Sequence, residues 1–200
     1  MRLPTTRSDA IRWAFPPAAL VVVLAAGCGG STSYDPAAKA DAERRAEKAV
    51  AALGGALMKE LGAAMTAGGP AAAIAVCSEK APAVANSLAE PGLSVRRTSL
   101  RFRNPANAPD PLEKSILEEW EQAGEAGTVS RVVEGPDGRE LRYLKPIRVL
   151  PLCVACHGPA EEIAPEVGAE LARLYPKDKA TGYGEGDLRG AFSVRVKLAK

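Results

Sequence analysis

Cys153, Cys156 and His157 stand together in the stretch "LPLCVACHGPA", and His157 is the only histidine of the 200-residue chain. Two cysteines with two residues between them and a histidine directly after form C-X-X-C-H, the spacing that attaches haem c. The chemistry accounts for the spacing. Two thiols add across the two vinyl groups on one edge of a porphyrin, a tight turn spans the vinyl separation, and the next residue turns its imidazole toward the iron. On the residues alone, three other uses stay open. Cys153 and Cys156 could close a structural disulfide. They could act as a dithiol redox pair, although the strand–C-X-X-C–helix setting of thioredoxin-like proteins is missing. They could join Cys77 and His157 in a Cys3His zinc site, although adjacent Cys156 and His157 fit one tetrahedron poorly.

A haem on His157 raises the question of its sixth ligand. No second imidazole exists in the chain, so thiolate, thioether, amine or an open position remain. Cys77 lies on a core-facing helical stripe and has no disulfide partner once the haem takes the other two thiols. Its bland reading is a small buried hydrophobe. Met58 and Met65 are thioether alternatives whose ordinary role is to fill a core.

The elements that must position these residues follow from periodicity. Asp35-Pro36 is an N-cap followed by proline at the first helical position. Val50, Leu53, Leu57, Leu61 and Met65 then recur in steps of three or four, one helical face, until Gly68-Gly69-Pro70 ends the run. At about 1.5 Å per residue this helix approaches ~48 Å, and its Ala, Lys, Glu and Arg-rich early half is expected in solvent, in part as a stalk. A second helix carries Ile74, Cys77, Ala81, Val84 and Leu88, with Pro82 predicting a kink or break just after Cys77. "LSVRRTSLRFRNPANAPD" reads as a strand and a loop, with Thr98, Leu100 and Phe102 on one face and Arg97, Ser99, Arg101 and Arg103 on the other. "PLEKSILEEWEQA" is a short helix. Two strands flank the turn Gly135-Pro136-Asp137-Gly138. After the C-X-X-C-H come a helix in "PEVGAELARLYP" and a closing strand with Phe192, Val194 and Val196 alternating. The fold class is α+β, with an antiparallel sheet flanked by helices and a long N-terminal helix.

The ends bound the setting. Residues 1–27 combine Arg2, Arg7 and Arg12 with the apolar run "AFPPAALVVVLAAG" and stop at Cys28. A positive start, a short apolar run and small residues before a cut site make an export signal, too short for the roughly 20 residues of a membrane span. "LAAGC" resembles a lipobox, with Ala25 where Leu is usual, so Cys28 is expected to carry lipid. The expected organisation is a lipoprotein signal at 1–27, a tether at 28–35, the long helix at 36–69 and the haem domain at 70–200. Beyond residue 27 the chain holds 23 basic and 23 acidic residues, a balance that argues against a nucleic-acid partner.

With these elements in place, the chain resembles the PAS-like monohaem c-type cytochromes, exported proteins and histidine-kinase sensor regions long catalogued as a domain of unknown function. The matching stretches are "AIAVCSEKAPAVA", "VRRTSLRFRNPANAPDPLE", "LRYLKPI", "CVACHG" and "YPKDKATGYGEGDLRGAFSV". They cover about residues 71–195 in the family's order. One departure is Leu112, where the family usually has Trp. The resemblance implies one covalent haem c on Cys153 and Cys156, with His157 and Cys77 as axial ligands. It also implies a PAS-like sheet and a role in redox sensing or low-potential electron transfer rather than catalysis. Arg97 and Arg101 are the first choices for pairing with haem propionates. Two alternatives stand beside this: a gas-binding haem sensor after ligand loss, and a zinc-stapled lipoprotein without redox activity. The expected location is the periplasmic side of a membrane, the outer membrane favoured. The partner is a redox or signalling protein that the sequence does not identify.

Overall fold

A computed structural model describes residues 34–198. The signal at 1–27, Cys28 and most of the tether lie outside the described residues, as do the side chains of Val76, Cys77 and Glu79. Among the described residues no single helix is long and apolar enough to cross a membrane.

Helix α1 runs Pro36–Ser87, capped by Asp35, whose side chain accepts from the Ala37 N–H at 2.9 Å. Its dihedrals leave the helical region at Gly69 (φ 72°, ψ −169°), where the sequence places the break. The axis then turns by 88° between Pro36–Ala75 and Lys80–Ser87. Pro82 has no N–H for the carbonyl of Ser78, which is the physical reason for a bend at this point.

Four strands form one antiparallel sheet: β1 Leu93–Thr98, β2 Val129–Gly135, β3 Gly138–Arg148 and β4 Leu188–Lys197, in the spatial order β1-β4-β3-β2. The β2–β3 hairpin closes at Gly135 and Gly138. Helix α2 (Pro111–Ala123), the one-turn α3 (Val154–His157) and α4 (Pro165–Leu174) complete the α+β fold.

The sheet buries both faces. On one, Ala42, Ala46, Ala49, Val50 and Leu53 of α1 pack against Val95, Leu141, Tyr143, Val194 and Val196. This corrects the expectation of a solvent stalk. One stripe of the early half of α1 is core, because its methyl side chains let the helix lie close on the sheet at interior packing density, while Asp41, Arg44, Glu47 and Lys48 on its other side stay exposed. Met58, by contrast, is 44% exposed, so it does not fill the core. On the other face Ile116, Leu117 and Trp120 of α2 pack on Leu144 and Ala191.

A second correction concerns the arginine-rich strand. β1 stops at Thr98, so Leu100 and Phe102 do not continue its alternation. Gly190 explains the stop. Its φ is +148°, and a Cβ there would lie 2.3 Å from the Thr98 carbonyl. The backbones approach at this point, Ser99 leaves the ladder to bond the Arg189 carbonyl at 2.8 Å, and Ser99–Arg103 becomes a loop.

Glu113 ties α2 to the sheet. It is fully buried and accepts from Arg96, from Thr98 Oγ1 at 3.1 Å, Ser193 Oγ at 2.6 Å and the Asp110 N–H at 2.9 Å, with Arg142 at 3.5 Å. Burial opposes the charge of neighbouring Asp110. The Glu113 N–H and the Arg142 and Arg195 guanidiniums outweigh it, so the Asp110 pKa lies below the ordinary carboxylate value. Glu113→Ala takes the carboxylate from Arg96 and the acceptor from the buried Thr98 and Ser193 hydroxyls and is expected to cost about 3–5 kcal/mol, read as a fall in the urea midpoint at unchanged slope.

Candidate functional site

The C-X-X-C-H segment follows β3 directly. Pro151 opens a 3-10 turn, Pro151–Cys153, that runs into α3. Gly158 closes it. Its N–H bonds the Val154 carbonyl at 2.8 Å, and a Cβ there would lie only 2.6 Å from that oxygen, so a larger residue would push the turn open. Cys153 and Cys156 are not joined in a disulfide, and each is partly exposed. They face different neighbours: Cys153 packs against Val149, Ala180 and Tyr183, and Cys156 against Ile74, Val167 and Leu171.

Ile74 matters because it belongs to α1. The core clusters bring this part of the helix, just before its bend, against Cys156, and Cys77 follows Ile74 by one turn, its backbone helical. Fewer than one turn separates Cys77 from the bend that ends at Lys80.

His157 is held by a second strand of chain, Asp178–Tyr183. The Tyr183 N–H bonds the His157 carbonyl at 2.9 Å and the Gly182 N–H bonds the Gly158 carbonyl at 2.7 Å. The ring itself meets the Ala180 carbonyl, 2.6 Å from Nδ1. A carbonyl can only accept, so Nδ1 carries the proton and Nε2 keeps the lone pair. Burial, then the Arg103 and Arg189 charges, push the His157 pKa down to about 3, against the opposing Ala180 bond. The imidazole is therefore neutral at pH 7, the form that binds a metal.

Around this ring the charges are mostly positive. Tyr183 is 2% exposed and meets the His157 ring edge-on, at 6.3 Å between centroids and 85° between planes. The Arg101 guanidinium lies 3.6 Å from the Tyr183 ring centre and that of Arg189 lies 5.4 Å from it. Arg101 also donates to the Thr181 carbonyl at 3.3 Å, and Arg189 to Ser99 Oγ at 2.9 Å and the Arg101 carbonyl at 3.1 Å. Arg97, on β1, is near enough to bias both His157 and Arg189. Burial, then the neighbouring cations Arg103 and Arg97, lower the Arg189 pKa, with Tyr183 and Asp178 opposing. Asp178 pairs with Arg103 within this group, at 2.9 Å. Guanidiniums gathered at a partly buried site are unfavourable unless an anion completes them.

The structure thus brings together Cys153, Cys156, His157, Arg97 and Arg101, all expected from the sequence. It adds Asp178, Ala180, Tyr183 and Arg189, to which the sequence reading gave no role, and Arg103, which was not among its first choices. The described residues contain no group of three His, Cys, Asp or Glu arranged to hold a metal ion by themselves.

The chain's sequence matches a family model described as Tll0287-like over residues 33–197. Among solved structures it is similar to the cyanobacterial heme-protein Tll0287, with a TM-score of 0.58 and 23% identity, over 84% of this chain and 98% of that one. At this identity the likeness shows the shared fold. No curated protein sequence matches the chain.

Proposed function

The chain belongs to the Tll0287-like family, and from that premise we propose that it is a haem c protein acting in redox sensing or low-potential electron transfer. The observation that carries the reading is the environment of His157. A neutral imidazole commits its Nδ1 to the Ala180 carbonyl, which leaves Nε2 as the nitrogen able to bind a metal, directly beside the thiols of Cys153 and Cys156. The residues fit the group: Cys153 and Cys156 would attach it, His157 would ligate its iron, and Cys77 would ligate from α1. Arg97, Arg101 and Arg189 would meet its carboxylates, since planar guanidiniums bind carboxylates bidentately. Bound there, a haem supplies one-electron exchange between Fe(III) and Fe(II). With both His157 and Cys77 as ligands, the group would have no open position for a substrate, so the reading favours a carrier or sensor over a catalyst, and its partner is a redox or signalling protein. The test is the wild-type protein expressed with a c-type maturation system and run on a denaturing gel. A band that stains for haem supports the reading, and a band that never stains overturns it.

Export and lipid anchoring through Cys28, on the periplasmic side of the outer membrane, form part of the same proposal. "LAAGC" motivates it, together with Gly29, which is not the aspartate often read as an inner-membrane retention signal. The wild type should partition into detergent, and Cys28→Ser should leave the protein soluble or uncleaved. An unmodified Cys28 at the start of the mature wild-type chain, seen by mass spectrometry, would refute the anchor.

A further inference from the structure

Arg103 and Asp178 are only 13% and 12% exposed, and their contacts converge on the residues beside His157. Arg103 Nε donates to Asp178 Oδ2 at 2.9 Å. Its Nη2 donates to the Cys156 carbonyl at 2.5 Å and reaches the Ala180 carbonyl at 3.4 Å. Asp178 Oδ1 accepts from the Ala180 N–H at 2.8 Å. The Ala180 carbonyl is in turn the acceptor of His157 Nδ1. One guanidinium and one carboxylate therefore hold Ala180 on both sides of its Cα. The same guanidinium also holds the residue that precedes His157.

We propose that Arg103 and Asp178 are a pair of positioning residues that fix the orientation of the His157 ring, and with it the iron ligand field; the proposal rests on the haem reading above. An ion pair this little exposed is costly to desolvate, and its three backbone acceptors and donors around one imidazole give it a geometric task. Partners of a ligating histidine fix its tautomer and ring orientation. The guanidinium fork suits the role because its N–H groups are set in one plane and can engage a carboxylate and a carbonyl together. A lysine ammonium is a point charge and cannot reproduce that arrangement.

A purely electrostatic pair makes a different prediction from a clamp. If only charge matters, Arg103→Gln lowers the midpoint potential, Asp178→Asn raises it, and the double variant returns toward wild type. If the pair is a clamp, either change opens it. The experiment compares the oxidised holoprotein of Arg103→Gln, Asp178→Asn, Arg103→Lys and the double variant by low-temperature electron paramagnetic resonance, with potentiometric titration alongside. The expected result is a single low-spin species in wild type and a split into two or more in every variant, with the double no more heterogeneous than either single. Asp178→Asn keeps an oxygen for the Ala180 N–H, so it removes the ion pair while leaving that turn in place, and it reports on the clamp even if Arg103→Gln fails to fold. One unaltered species in all variants, with opposite and cancelling potential shifts, overturns the proposal. A wild type that does not stain for haem overturns the haem reading and the clamp together, whereas a stained wild type with unaltered variants overturns the clamp alone.

Discussion

Replacing Cys153 and Cys156 together with Ala should abolish the haem-stained band on a denaturing gel, the largest effect expected of any substitution in this chain. The reason is the kind of bond each residue makes. A thioether survives detergent and heat, whereas an iron–imidazole bond depends on the folded site and is lost with it. The two cysteines lie on either side of one tight turn, Cys153 at the end of the 3-10 segment and Cys156 inside α3. Each single variant keeps one thiol and should retain a weakened band. The double variant still has His157, its Ala180 acceptor and the arginines around Tyr183, so its native visible spectrum should show some haem held without a covalent bond. His157→Ala is the mirror experiment: the band stays and the spectrum changes. A double variant that still stains like wild type would place the attachment elsewhere.

Much of this site was legible because its chemistry is local. Cys153, Cys156 and His157 lie within five residues, and spacing alone suggests their joint use. Helices α2 and α4, the hairpin at Gly135–Gly138 and the alternation of Val194 and Val196 were equally readable, since each depends on a short periodic pattern. Two kinds of information were not. The alanine stripe Ala42, Ala46 and Ala49 sits among Lys39, Asp41, Arg44 and Lys48, so a hydropathy reading sees a charged, solvent-facing helix. Only the facing sheet reveals that small side chains are the contact. Arg103 and Asp178 are 75 residues apart, and Ser99 and Arg189 are 90 apart. No local period links such pairs. The strand stops at Thr98, short of the alternation through Phe102, for a similar reason, because the glycine that ends the pairing lies on β4.

Cys77→Ala should raise the midpoint potential and open the iron to added ligands. Cys77 follows Ile74, which packs in the same cluster as Cys156, and the chain has no second histidine to compete for the position. A thiolate carries a negative charge, and metal binding keeps a coordinating thiol deprotonated. That charge stabilises Fe(III) over Fe(II), so its removal favours reduction. Arg103, Arg189 and Arg97, which bias His157 by their charge, are present in wild type and variant alike. The shift therefore reports the loss of the thiolate charge itself. A tenfold change in a one-electron equilibrium is about 59 mV, or ~1.4 kcal/mol, and loss of an anionic ligand should exceed it. Spectroelectrochemical titration reads the shift, and carbon monoxide or imidazole added to the variant should bind more readily than to wild type. The bend that ends at Lys80 gives the same residue a second consequence. A ligand held at a break in a helix can transmit its loss on reduction as a movement of Lys80–Ser87, which packs through Val84 and Ala85 on the α1 face of the sheet. An unchanged oxidised spectrum, potential and carbon monoxide response in Cys77→Ala would reduce Cys77 to packing and make Met65 the next ligand to test.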